Sequence, residues 1–326
     1  MELLDRYAAK IEEGLRGALR GESSLYEILR YHIGLTDADG QRVTALGKLI
    51  RPTLVLFVAE ELGGRVDAAR SAAVGLELIH GFSLIHDDLQ DGDEVRRGRP
   101  AVWTRWGSAE AINAGDLMHA IALKTALRAG SGVANALAEA TCEMIEGQSM
   151  DLAFEHRFVT EDDYLKMVDR KTGGLFRCAF ELGGRCAGAS QETLADLRKV
   201  GSNVGRAFQI RDDLLGIWGN DEMTGKPTGS DVRRRKKSYP PVVAHAEANA
   251  EERDRLERIY ANGEIGEEDI AWVVGFFDRL GVRDRARTAI EAHSAQAVSG
   301  VERLPFSAEG KRLLRALIEA LTRRTK

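Results

Sequence analysis

The 326-residue chain has only six prolines: Pro52, Pro100, Pro227, Pro240, Pro241 and Pro305. None falls between Pro100 and Pro227. That interval is dense in Ala, Leu, Glu and Arg, the strong helix formers. With no residue to break an interior helical hydrogen bond, long helices can run through it. Apolar residues recur at three- and four-residue spacing, as at Ala120, Leu123, Ala126 and Leu127. No alternating segment extends beyond a few residues. The pattern predicts an all-α chain, with loops at 34–40, 63–64, 92–100, 154–162 and 216–241. One domain over 1–326 is the expectation for this length, with about 244–326, which is more polar, as a candidate peripheral helical layer.

Within these apolar helical runs stand two clusters of aspartate. The first is Ser83-Leu84-Ile85-His86-Asp87-Asp88-Leu89-Gln90-Asp91. The second is Ala207-Phe208-Gln209-Ile210-Arg211-Asp212-Asp213-Leu214-Leu215. Neighbouring carboxylates on one helical turn repel, and desolvating them raises the cost. A chain that does this twice is expected to hold divalent metal between the two clusters, with a ligand rich in negative oxygen such as a diphosphate. Asp87 and Asp91 are four apart and share a helix face. That spacing lets two carboxylates reach one hard cation while ligand oxygens reach it from the other side, as Mg²⁺ prefers.

Basic side chains suited to phosphate accompany them. Lys48 and Arg51 lie three apart in Gly47-Lys48-Leu49-Ile50-Arg51-Pro52, and Arg96 and Arg97 follow the first cluster after Gly92. His86 beside the first pair reads as a hydrogen-bonded packing residue, because hard Mg²⁺ prefers oxygen. The net charge of -5 argues against nucleic acid as a partner. Cys142, Cys178 and Cys186 have no CxxC spacing, which argues against a disulfide framework or a zinc site. An acidic N-terminus without an apolar core, and no run of 18 uncharged apolar residues, predict a cytoplasmic chain without a transmembrane segment.

Several further segments, in order, complete a pattern. These are Arg96-Arg97-Gly98, Asn113-Ala114-Gly115-Asp116, Gly147-Gln148 with Asp151, Lys171-Thr172, Phe208 to Asp213, and Gly225-Lys226-Pro227. Together with the first acidic cluster they resemble the trans-type isoprenyl diphosphate synthases, the polyprenyl synthetases, over about Leu46 to Pro240. The resemblance implies the isoprenoid synthase type I fold: a single large antiparallel helix bundle around a deep central cavity. It implies a Mg²⁺-dependent prenyltransferase, with three ions and Mn²⁺ as a substitute, working as a homodimer. Its substrates would be an allylic diphosphate and isopentenyl diphosphate, joined head to tail. It implies that Asp87, Asp88 and Asp91 hold two ions and Asp212 a third. Arg96, Lys171 and Lys226 would contact the allylic diphosphate. Lys48, Arg51, His80 and Arg97 would hold isopentenyl diphosphate. Gln209 and Thr172 would line the reaction centre.

The chain departs from that pattern in places. A full second motif would have Asp at 216, where this chain has Gly216. The third ion would then rest on Asp212 alone, or draw on Asp213 or Asp231. Leu46 and Leu49 stand where the family usually has Gly and Arg. The first motif is the short form, without a two-residue insertion. Phe82 and Ser83, five and four residues before Asp87, sit where a growing product would pass. One ring there, with Ser beside it, resembles the C20 type, so the expected product is C15 to C20, with C20 preferred. Two other functions compete: a class I terpene cyclase using one diphosphate, and a non-catalytic subunit of a heteromeric synthase. Retention of Lys48, Arg51, His80 and Arg97 speaks against the first, and survival of both Asp pairs against the second.

Overall fold

The structure is a computed structural model that describes residues 2–219, 228–261 and 265–322. Among these residues the elements are helical except for one two-stranded hairpin. The helices are α1 Glu2–Ala18, α2 Ser24–Ile33, α3 Ile50–Glu61, α4 Val66–Gln90, α5 Val102–Trp106, α6 Ser108–Ala126, α7 Ser131–Phe154, α8 Glu161–Val168, α9 Gly174–Cys186 and α10 Gln191–Trp218. After them come α11 Ser230–Arg233, α12 Tyr239–Glu247, α13 Ala250–Ala261, α14 Glu267–Arg279, α15 Val282–Arg303 and α16 Ala308–Thr322. The hairpin, β1 Val95–Arg96 and β2 Arg99–Pro100, lies inside the segment expected as a plain loop. The loop expected from Gly216 begins later, because α10 continues to Trp218. No helix among the described residues is long and apolar enough to cross a membrane.

The chain gathers into two compact units that draw on interleaved stretches of sequence. The first comprises 1–141, 177–198 and 304–313. Here α4 packs along α3, α1 and α6. Its small residues let neighbours approach closely. A Cβ at Gly81 would lie 2.7 Å from both Met118 Sδ and Ile33 Cδ1. Leu54, Phe57, Leu76, Ile79 and Met118 are fully or nearly fully buried in this unit.

The second unit comprises 142–176, 199–303 and 314–326. Its apolar core joins Tyr164 and Met167 of α8 and Ile210 and Ile217 of α10 to Val242, Phe277 and Ile290. Helices beyond Ala244 therefore contribute to this core. Between α8 and α9 the chain widens into a π-helical turn, Asp169–Gly173. Such wide turns occur mostly as single inserts, often at functional sites. Gly147 of α7 makes room for it, since a Cβ there would lie 2.3 Å from the backbone N of Lys171.

Backbone cannot yield as a flexible side chain does, so Gly147→Ala is expected to destabilise the protein by about 1–3 kcal/mol. Gly275, exposed within α14 with nothing near its missing Cβ, serves as the contrast. Gly275→Ala should stabilise by about 1 kcal/mol through helix propensity alone. Thermal melts followed by circular dichroism read both; equal melting points for the two variants would refute the close-approach argument.

Candidate active site

In the first unit, α4 ends on the first acidic cluster. Asp91 caps it, donating its backbone N–H to the Asp87 carbonyl at 2.8 Å. Carboxylates at a helix C-terminus oppose the helix dipole, so a bound cation there would relieve an unfavourable placement. Asp87 is half-buried and Asp91 exposed, on one face. Asp88 turns the other way, with its side chain 0% exposed. The hairpin β1–β2 brings Arg96 back to it. Its two-residue turn, Arg97-Gly98, has positive φ at both positions (52° and 71°), which matches the twist of a tight hairpin. Arg96 donates from Nε to Asp88 Oδ1 at 2.8 Å and from Nη2 to the same oxygen. Burial raises the Asp88 pKa above the usual carboxylate range, and Arg96 offsets part of that. Asp88 Oδ2 is buried with no hydrogen-bond partner.

A cationic group lies in the same unit. Arg51, in the first turn of α3, follows Leu49, whose φ of 51° turns the chain into the helix. Arg51 Nη1 donates to His80 Nε2 at 3.3 Å. Burial, then Arg51, Arg97 and Arg96, hold the His80 pKa well below its ordinary value, so the imidazole is neutral and can accept. Arg97 lies over Gly47, whose Cβ would meet Nη2 at 2.5 Å. Lys48 beside it is exposed. One turn before His80 sits buried Glu77, which sequence reasoning missed. Burial pushes its pKa up to about 7, while Arg51 and Arg97 pull the other way. The signal was a single carboxylate inside the apolar run Val74-Gly75-Leu76-Glu77-Leu78-Ile79.

Phe82 is buried on α4. It meets His86 edge-on at 5.0 Å and stacks on His119 of α6 at 5.1 Å. Ser83 donates to the His80 carbonyl at 2.9 Å. His86 Nε2 lies 3.4 Å from the Ile112 carbonyl and 4.0 Å from Asp116, against α6.

In the second unit, α10 carries the other cluster. Asp212 is exposed and Asp213 fully buried. Asp213 Oδ2 accepts from Tyr164 Oη and, at 2.9 Å, from the Tyr239 backbone N–H. Its Oδ1 accepts from Gln209 Nε2 at 2.9 Å, and Thr172 Oγ1 donates to Gln209 Oε1 at 2.7 Å. Burial pushes the Asp213 pKa up to about 6, against the pull of nearby Lys236 and the Tyr164 hydroxyl. Lys171, in the π turn, pairs with Asp151. Tyr164 and Tyr239 were not expected from sequence, since no local spacing announces them. The sequence also carries a basic run after Asp231, Arg233-Arg234-Arg235-Lys236-Lys237, whose placement points to phosphate, and in the fold several of its side chains are engaged within the second unit. Arg233 grips Glu267 through two bonds, and Lys237 donates to the Glu155 carbonyl. Lys226 lies outside the described residues.

The donor set fits magnesium. The candidate ligands Asp87, Asp91 and Asp212 offer carboxylate oxygens, the hard donors this ion takes. Among the described residues no three His, Cys, Asp or Glu side chains close into a metal cage. Mg²⁺ seldom uses such cages, taking one or two carboxylates with ligand oxygens and water.

Residues 35–276 match the family model described as polyprenyl synthetase. A (2E,6E)-farnesyl diphosphate synthase of Mycobacterium tuberculosis is 40% identical over 304 residues, covering 91% of this chain and 79% of that protein. A geranylgeranyl diphosphate synthase of Saccharolobus solfataricus is 36% identical over 271 residues, covering 80% of this chain and 78% of that protein. The crystal structure of a polyprenyl synthetase from Streptomyces coelicolor A3(2) matches with a TM-score of 0.90 at 34% identity, covering 98% of both chains. The chain belongs to the polyprenyl synthetase family and has its all-α isoprenoid synthase fold.

Proposed function

We propose that the chain is a trans-type isoprenyl diphosphate synthase that joins an allylic diphosphate to isopentenyl diphosphate and releases diphosphate. The observation that carries this reading is the division of labour at the end of α4. Asp88 anchors Arg96, while Asp87 and Asp91 keep a shared face. Asp87 and Asp91 are the proposed magnesium ligands of the first unit, and Asp212 that of the second. When bound, magnesium would neutralise diphosphate and ease its departure.

The residues of the chain then have separable tasks. Arg96, fixed by Asp88, and Lys171 and Lys226 bind the allylic diphosphate. Lys48, Arg51 and Arg97 bind isopentenyl diphosphate, with neutral His80 orienting Arg51. As the allylic C–O bond breaks, these cations stabilise the departing charge. The double bond of isopentenyl diphosphate attacks the allylic carbon, and a proton is lost, with the released diphosphate as its acceptor. Thr172 and Gln209 line the reaction centre, and Asp213 positions Gln209 through its hydrogen bond. We assign Asp88 and Asp213 to positioning, although sequence reasoning placed both among metal ligands. The working form we propose is a homodimer, a reading supported by exposed Ile112 on α6 and Leu127 just after it.

The test is product analysis by mass spectrometry, with Mg²⁺, isopentenyl diphosphate and each allylic primer in turn. Prenyl diphosphates of C15 to C20, chiefly C20, are expected. Hydrocarbon formed without isopentenyl diphosphate would mark a cyclase instead, and activity appearing only with a second protein would mark a subunit.

Asp87→Ala should lower kcat/KM by at least about 10²–10³-fold with its thermal melt unchanged. Wild-type turnover in that variant would remove Asp87 from the site. Phe82 is the proposed floor of the product channel, supported by its burial between His86 and His119. Phe82→Ala should shift the product toward longer chains on thin-layer or mass-spectrometric analysis; an unaltered product distribution would take that role away.

A further inference from the structure

The first acidic motif ends on Asp91, four residues after Asp87. At the matching place in the second motif, four after Asp212, the chain has Gly216. A Cβ added at Gly216 would lie 2.2 Å from Asp231 Oδ2, 2.3 Å from its Cγ and 2.7 Å from Oδ1. The whole Asp231 carboxylate therefore rests on the Gly216 Cα, in the space a side chain would fill. Interiors are close-packed, so any other residue at 216 must push that carboxylate away. Backbone conformation does not demand glycine here: Gly216 lies within α10 and has no positive φ. Glycine is a weaker helix former than alanine, and the carboxylate supplies the reason for it.

The approach of Asp231 is built into the fold of the second unit. Gly229, at a φ of 75°, turns the chain into α11 and donates its backbone N–H to the Ile217 carbonyl at 3.0 Å. Ser230 Oγ donates to the Gly216 carbonyl at 3.2 Å. The Lys236 backbone N–H donates to the Asp231 carbonyl at 2.9 Å. The first two of these bonds dock α11 on the last turn of α10, and the third holds the turn that follows α11. Asp212 and Gly216 share one face of that helix, with Cβ positions roughly 5–6 Å apart. Asp231 and Asp212 act on the same ammonium: burial works against the charge of Lys236, and Asp213, Asp231, Asp151 and Asp212 together outweigh it.

We propose that Asp231 supplies through space the carboxylate that the second motif lacks in sequence, and that residue 216 is glycine so as to admit it. Asp212 and Asp231 then form the oxygen donor pair for the divalent ion of this unit. This inference rests on the diphosphate synthase reading given above. The bland competitor is that Asp231 only balances the charge of Lys236.

The test uses the full chain, stripped of metal and titrated with Mn²⁺ in the presence of inorganic diphosphate. Bound ions are counted by electron paramagnetic resonance, and melts check that each variant folds. Asp231→Asn should lose one bound Mn²⁺ or weaken the weakest site by about 10–100-fold. Gly216→Asp alone should also bind poorly, because the two carboxylates collide. The double variant Gly216→Asp/Asp231→Gly, which moves the carboxylate onto α10, should restore the lost ion. Should Asp231→Asn fail to fold, the double variant alone decides. Wild-type Mn²⁺ binding in Asp231→Asn, or a folded double variant that leaves the ion lost, overturns the proposal. A wild-type chain that binds no Mn²⁺ with diphosphate overturns the synthase reading itself, and this inference with it.

Discussion

Like charges crowded on one helical turn must be separated or neutralised, and each acidic motif meets that constraint in the same way. Successive helical residues point about 100° apart, so adjacent aspartates cannot face the same environment. In each pair the second carboxylate goes inward and is held by protein donors: Asp88 by Arg96, and Asp213 by Tyr164, Gln209 and the Tyr239 backbone. The first carboxylate of each pair stays nearer solvent. Burying a carboxylate is expensive unless it is hydrogen-bonded. The partners of Asp88 and Asp213 are thus a condition for the motif to exist at all. They also turn the inward residue into an anchor: Asp88 fixes Arg96, and Asp213 fixes Gln209 and through it Thr172.

The cationic group around Arg51 solves the opposite problem. Arg51, Arg96 and Arg97 would repel one another in the first unit if left alone. Buried Glu77 offsets Arg51 and Arg97, and His80 is kept neutral, so that it accepts from Arg51 without adding charge. His32, buried near Arg97 and Arg96, is likewise neutral, its pKa lowered to about 3 by burial first and by those arginines second. The arrangement leaves net positive charge in this part of the first unit.

Much of this was legible in the sequence. The proline-free interval and helix-forming composition announced the helices, and the four-residue spacing of Asp87 and Asp91 announced a shared face. What could not be read were partners distant in the chain. Tyr164 lies 49 positions from Asp213 and Tyr239 lies 26 positions from it. Neither is a titrating group at neutral pH, and neither stands in a motif. The hairpin that returns Arg96 to Asp88 was read as a plain loop, because its strands are two residues long and its turn begins with a non-glycine at positive φ. Glu77 was overlooked because helical periodicity weighs the apolar residues around it and passes over the single charge they bury.

Glycine supplies the last step, because its meaning changes once neighbours are known. In sequence Gly216 is a gap in a motif, and Gly147 and Gly115 are minor elements of signatures. In the fold each glycine lets another part of the chain come closer than a side chain would allow. Gly147 admits the Lys171 backbone, Gly115 admits the His86 ring, and Gly216 admits the Asp231 carboxylate. A site that must hold charged groups at fixed separations needs backbone brought near to it, and backbone approaches only where a side chain is missing. A deviation from a motif can therefore mark a place where another part of the chain has taken over the missing group's position. Loss of the group's function does not follow from its absence at that position in the sequence.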